Sequence, residues 1–170
     1  MAAMTRRILL RAPGPDDEIE FLARVRASRS LHHPWVSPPG TGPQFRAWLA
    51  RAGTDNHCTR LVCVQPTGAI AGAFIISQIV RGPFRSAFLG YYAFEGFQGQ
   101  GLMAEGLRAL LRHAFGPLKL HRLEANIQPG NEASIALVRA CGFRQEGYSP
   151  RYLKIGGRWR DHERWAALGD

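Results

Sequence analysis

The sequence predicts a mixed α/β (α+β) domain, and three observations carry that expectation. Short β-rich runs alternate with amphipathic stretches in the order β α α β β β α β α β β. Two turn signals, Gln65-Pro66-Thr67-Gly68 and Gly156-Gly157, join β-rich runs directly and so predict hairpins. No composition shift, internal repeat or low-complexity tract divides the 170 residues, so one domain over residues 1–170 is expected.

The elements follow in order. Residues 6–11, RRILLR, read as a short strand. PGPDDEIEFLARVRASRS reads as a helix that Asp16 or Asp17 can cap, with Ile19, Phe21, Leu22 and Val25 as its apolar stripe. Prolines and glycines make residues 31–43 a loop. QFRAWLARAG is a second helix, ending at Gly53. The first hairpin spans HCTRLVCVQPTGAIAGAFIISQI, and SAFLGYYAFEG is the next strand. Leu107, Leu110, Leu111 and Ala114 recur at helical spacing until Gly116-Pro117 stops the helix. LHRLEANIQ is a strand, PGNEASIALVRACGF a helix, and the remainder a final hairpin.

Composition narrows the function classes. Apolar residues make up 45% and charged residues 21%, a globular balance. No apolar run is long enough to span a bilayer, and no leader-like apolar stretch follows the first arginines, so no membrane is expected and the cytoplasm is. Three cysteines, Cys58, Cys63 and Cys141, without CxxC spacing argue against a disulfide framework or a zinc site. The net charge of +9 attracts polyanions. That charge suits nucleic acid, met directly or indirectly through a ribosomal surface, or a phosphate-bearing cofactor; the arginines are scattered, which argues against a dedicated nucleic-acid face.

The densest signal is FEGFQGQGLMAEGL, residues 94–107, with Gly96, Gly99 and Gly101 running into a helix. Glycines there can simply permit a tight turn. Gly99 to Ala104 also fits the dinucleotide pattern G-x-G-x-x-A, but hairpins precede it and no second mononucleotide half follows. No Lys follows Gly101, so the nucleoside-triphosphate loop pattern is absent. A helix N-terminus reached through glycines is in any case a place for an anion.

Read as Gln98-Gly99-Gln100-Gly101-Leu102-Met103, with Met103 in the last place, the stretch resembles the Q/R-x-x-G-x-G/A turn of the GNAT acetyltransferases. Downstream stand His121-Arg122, Asn126, Pro129-x-Asn131, Ser134, Gly142-Phe143, Glu146-Gly147 and Trp159-x-Asp161-His162. Their order and spacing resemble the RimJ/RimL-type ribosomal-protein N-terminal acetyltransferases from about residue 87 to 165. The resemblance implies a GNAT fold: a central, mixed, mostly antiparallel sheet splayed between two central strands, with helices on both faces. It implies acetyl-CoA as co-substrate, no metal, and transfer to the N-terminal amine of a protein or to a small amine. A non-catalytic acetyl-CoA sensor and a homodimer both stay open.

The resemblance also assigns residues. The cofactor contacts are Tyr92, Phe94, Gln98, Gly99, Gln100, Gly101, Leu102, Met103, Asn131 and Ser134. The splayed strands are Leu89 to Phe94 and Leu123 to Ile127. Many relatives carry a proton-donating Tyr where Val138 stands here, so Ser134, one turn earlier, is the candidate donor. Asn131 caps its helix, and Ser134 in a first helical turn has the same ordinary explanation. Asn126, unfavoured mid-strand, suggests a hydrogen-bonding duty. Glu124 shares its face and is the candidate base, with Glu146 and His162 behind it. An α-amine with a pKa near 8 is partly neutral at pH 7, so a water chain can replace a strong base. His32, His33 and Trp35, with the final hairpin, are the candidate acceptor side.

Overall fold

A computed structural model describes residues 7–170, so Arg6, at the start of the expected first strand, lies outside the described residues. Strand β1 is Ile8–Arg11. After a 3-10 turn at Pro15–Asp17 come α1, Glu18–Ala27, α2, Arg29–His32, and α3, Gly42–Ala52. Strands β2, Cys58–Val64, β3, Ile70–Val80, and β4, Ser86–Ala93, follow. Then come α4, Leu102–Phe115, β5, Arg122–Ile127, α5, Glu132–Ala140, β6, Arg144–Ile155, and β7, Arg158–Leu168. Two details differ from expectation. Leu31 and His32, read as loop, form the end of α2. Ile19, read into the apolar stripe of α1, is 84% exposed; Phe21 and Val25 are the residues that this short helix buries.

The seven strands form one sheet, ordered β1-β2-β3-β4-β5-β7-β6. Every neighbouring pair is antiparallel except β4 and β5. Those two pair in parallel only at Ser86–Arg122, Ala87–Leu123 and Phe88–Glu124, and then separate. Helix α4 is the crossover that a parallel pair requires.

Strand alternation sorts the core onto two faces. On one, Val62, Phe74, Ile76, Leu89 and Leu123 pack with Leu107 and Leu110 of α4 and Val138 of α5. On the other, Leu61, Ala73, Tyr92 and Phe94 pack with Phe21 and Val25 of α1 and Phe45 and Trp48 of α3. The Phe21 ring lies 5.2 Å from Phe45, 5.0 Å from Trp48 and 5.5 Å from Phe94, an aromatic cluster that ties α1 and α3 to β4. Asp17 does not cap α1 with its side chain. Its carboxylate accepts from Gly14 N–H at 2.7 Å and from the Arg11 guanidinium at 2.6 Å, which holds its pKa low.

The start of α4 sits closer to the sheet than a side chain on β3 permits. A Cβ at Gly72 would stand 2.6 Å from the Tyr92 carbonyl oxygen and 2.7 Å from Met103 Sδ. Gly72→Ala is therefore expected to overpack this contact at about 1–3 kcal/mol, with about 2–4 °C of melting temperature lost per kcal/mol. Thermal denaturation measures it, and an unchanged midpoint would show that α4 does not depend on this approach.

Candidate active site

Where β4 and β5 part, the first turns of α4 and α5 converge on β4 around a cavity of about 480 Å³. Gly99 and Gly101 adopt φ of +73° and +76°, a left-handed conformation that L side chains enter only at a cost. The first intrahelical bond runs from Glu105 N–H to Gly101 C=O. The N–H groups of Leu102, Met103 and Ala104 precede it and have no acceptor within the helix. They form a cradle for an anion, backed by the helix dipole.

A charge pair tunes that cradle. Glu105 would repel an anion from the first turn, but Arg7 Nε donates to its Oε2 at 3.0 Å and Arg7 N–H to its Oε1 at 3.2 Å. Arg7 Nη1 also donates to the Gln100 carbonyl at 3.0 Å, and the guanidinium lies beside Gly101. Sequence reading missed Arg7, because 93 residues separate it from the turn it braces.

Strand β4 supplies a second set of free groups. Phe94 N–H donates to the Ala71 carbonyl, so Phe94 faces β3 with its backbone. By alternation, the backbone groups of Leu89, Tyr91 and Ala93 point toward the gap that β5 vacates. Ala93 C=O is taken by His32 Nε2 at 2.7 Å.

The expected site residues divide as follows. Gln98, Gly99, Gly101, Leu102 and Met103 line the cavity, as do Tyr92, Asn131, Ser134, His32 and Trp35. Gln100 turns its side chain to the Gly96 carbonyl at 2.9 Å and offers the cavity nothing. Phe94 is a correction: its ring is fully buried in the core and its N–H is spent on Ala71. Glu124 is a second correction. It stands at the last paired position, and its carboxylate accepts from Arg122 Nε at 2.6 Å, outside the cavity. Glu146 pairs with the same Arg122, which holds its carboxyl below the usual range. His162 is buried on β7, its Nδ1 bonded to the Arg160 carbonyl. Asn126 stands two residues beyond the split, and its buried Oδ1 has no partner among the described residues. The Tyr92 hydroxyl is also buried without one. Trp35 packs its ring against Gly130 while facing the cavity. His33 lies apart, in a second cavity of about 410 Å³ with Arg29, Pro34, Ile155, Gly156 and Arg160.

On α5, Asn131 Oδ1 accepts from Ser134 N–H at 3.3 Å, the expected cap. The Ser134 hydroxyl is therefore free of capping duty and meets Tyr91 Oη at 2.5 Å. Burial pushes the Tyr91 phenol well above its ordinary pKa, so it stays protonated. Either hydroxyl can donate in this contact, and Tyr91 Oη also donates to the Ser134 carbonyl at 3.2 Å, so the pair can hand a proton into the cavity through the Ser134 hydroxyl. Tyr91 carried no sequence signal beyond strand propensity; its partner lies 43 residues away. Val138, where the resemblance implies a proton donor, is fully buried in the core.

Residues 7–144 match the acetyltransferase (GNAT) domain family, and the chain belongs to that family, whose members similar to it are named N-acetyltransferases. It is 43% identical over 166 residues to the [ribosomal protein uS5]-alanine N-acetyltransferase of Escherichia coli, covering 93% of this chain and 86% of that protein. It is 38% identical over 99 residues to the probable N-acetyltransferase YjcK of Bacillus subtilis, spanning 58% of this chain and 55% of that protein. Among solved structures, Mycobacterium smegmatis RimJ in complex with CoA-disulfide superposes with a TM-score of 0.86 at 27% identity, covering 95% of this chain and 81% of that one.

For the Tyr91–Ser134 pair, Tyr91→Phe and Ser134→Ala are each expected to lower kcat for amine acetylation by about 10²-fold or more, the scale of general acid catalysis. Acetyl-CoA should still raise the melting temperature of both. Full turnover in both variants would remove the pair from the proton path.

Proposed function

We propose that the chain transfers an acetyl group from acetyl-CoA to a primary amine, the N-terminal α-amine of a ribosomal protein, by direct attack in a ternary complex. The observation that carries this reading is the meeting of two features at one cavity: the N–H cradle of α4 and the unpaired edge of β4. A pyrophosphate suits the first and an amide-bearing pantetheine arm the second. The buried Tyr92 hydroxyl, without a partner among the described residues, also suits a polar ligand.

Acetyl-CoA supplies an activated acetyl thioester, and the chain's residues do the rest. Leu102, Met103 and Ala104 hold the anion through backbone N–H groups, with Gly99, Gly101 and Gln98 beside them. The free N–H groups of β4 polarise a carbonyl placed in the gap. Tyr91, through Ser134, returns a proton to the leaving sulfur.

The second cavity is the acceptor chamber in this reading. It brings together the α2 segment and the β6–β7 hairpin around Gly156. Arg29 and Arg160 line it, and no Asp or Glu does among the described residues. Such a lining disfavours a polycation, which argues for a peptide α-amine over a polyamine. The name of the 43% identical relative supports a ribosomal-protein acceptor.

Acetyl-CoA is expected to raise the melting temperature where NADH does not, with about 2.7 kcal/mol of stabilisation at a hundredfold excess over Kd. Gly101→Glu, which sets a carboxylate in the cradle, should abolish the shift; a larger shift from NADH would overturn the cofactor assignment. Thiol release with Ala-, Ser- and Met-initiated peptides and with spermidine tests the acceptor. Peptides should be turned over in preference to spermidine. Release with spermidine alone would shift the reading to small amines, and the absence of release with every acceptor would favour an acetyl-CoA sensor.

A further inference from the structure

Among the described residues, only two side chains line both cavities: Val36 and His32. Val36 has no acid–base chemistry. His32, at the end of α2, is buried, with its ring 5.6 Å from that of Tyr92 and 5.9 Å from that of Phe94. Its Nε2 lies 2.7 Å from the Ala93 carbonyl oxygen, which can only accept. Nε2 therefore carries the proton, and the neutral ring has its lone pair on Nδ1. No described residue hydrogen-bonds Nδ1.

We propose that His32 is the general base of the reaction, taking at Nδ1 the proton that the acceptor amine must lose. The inference rests on the acetyltransferase reading above. The amine enters as an ammonium and passes one proton to Nδ1. Its nitrogen then bonds to the acetyl carbon as the C–S bond breaks. The thiolate takes its proton from the Tyr91–Ser134 pair, and the surplus proton that the amide nitrogen sheds as the product forms returns through water to restore that pair. The imidazolium loses its proton to water before the next cycle.

The electrostatic surroundings agree. Tyr91 and Tyr92 of β4, Arg29 and His33 of its own segment, and Arg160 of β7 are the titratable groups that share its cavities, and among the described residues no carboxylate lines either. Burial lowers the His32 pKa, and the Ala93 bond opposes that only in part, so the ring is neutral and able to accept at pH 7. Glu124 and Glu146, the sequence's candidates, are both held by Arg122.

The test is His32→Gln, whose amide keeps a donor for Ala93 and removes the base. Its turnover with an Ala-initiated peptide at pH 7 should fall by about 10²-fold or more, with the acetyl-CoA melting shift retained. The deficit should shrink as the pH rises to about 8, where the α-amine deprotonates unaided. Wild-type kcat should fall tenfold per pH unit below a pKa under 6.5, and the variant should lack that limb. Wild-type turnover in the variant, or a deficit constant with pH, overturns the proposal while leaving the acetyltransferase reading in place. Absence of transfer by the wild type to any amine overturns both. If the variant does not fold, ¹⁵N NMR of wild-type imidazoles decides: a bare Nδ1 on His32 at pH 7 supports the base, and a protonated Nδ1 overturns it.

Discussion

The parting of β4 from β5 after Phe88 and Glu124 is the constraint on which the rest depends. A sheet that stops pairing in its middle leaves backbone donors and acceptors in a place where burial without partners is costly. The protein meets that need unevenly. His32 satisfies the Ala93 carbonyl, while β5 moves away to follow β7. The groups of Leu89 and Tyr91 and the N–H of Ala93, which face the gap, are what a ligand carrying amides can bond. The unpaired stretch is thus a binding surface made from main chain, and it needs no particular side chain to exist.

The anion cradle depends on the same geometry. Helix α4 must cross from the end of β4 to the start of β5, so its N-terminus opens beside the gap. Gly72 lets Met103 settle on β3, and the left-handed Gly99 and Gly101 turn the chain into the helix. Arg7 then cancels the one carboxylate in the first turn. Arg7 is more than half exposed, so its pairing with Glu105 adds little to stability. Its consequence is local: a first turn whose potential stays positive.

Periodicity and turn chemistry made the fold legible almost entirely, down to the hairpins at Gln65–Gly68 and Gly156–Gly157 and the Asn131 cap. The site was legible where function is written in backbone conformation: glycines, caps and helix starts have sequence signatures. It was less legible where function depends on which strand face meets which helix. Tyr91 and Tyr92 are adjacent and chemically alike, and alternation says only that they point oppositely. Tyr91 meets Ser134 because α5 packs on that face; Tyr92 meets His32 because α1 and α2 pack on the other. Phe94 failed for the same reason, since an aromatic beside a glycine turn can as well be core. Glu124 failed because Arg122, two residues away on the same face, claims it first.

The same alternation separates the two proton transfers that amide formation requires. The proposed acid, Tyr91 acting through Ser134, sits on the α4–α5 face of β4, and the proposed base, His32, sits on the α1–α2 face. Burial also sets the two apart in strength, raising the Tyr91 pKa and lowering that of His32, so neither group ionises the other. Here β4 stands between them, and only the gap beyond Phe88 opens to both. A proton taken from the amine on one face and a proton given to sulfur on the other need not be the same one. The strand that binds the donor substrate therefore also keeps its acid and its base apart.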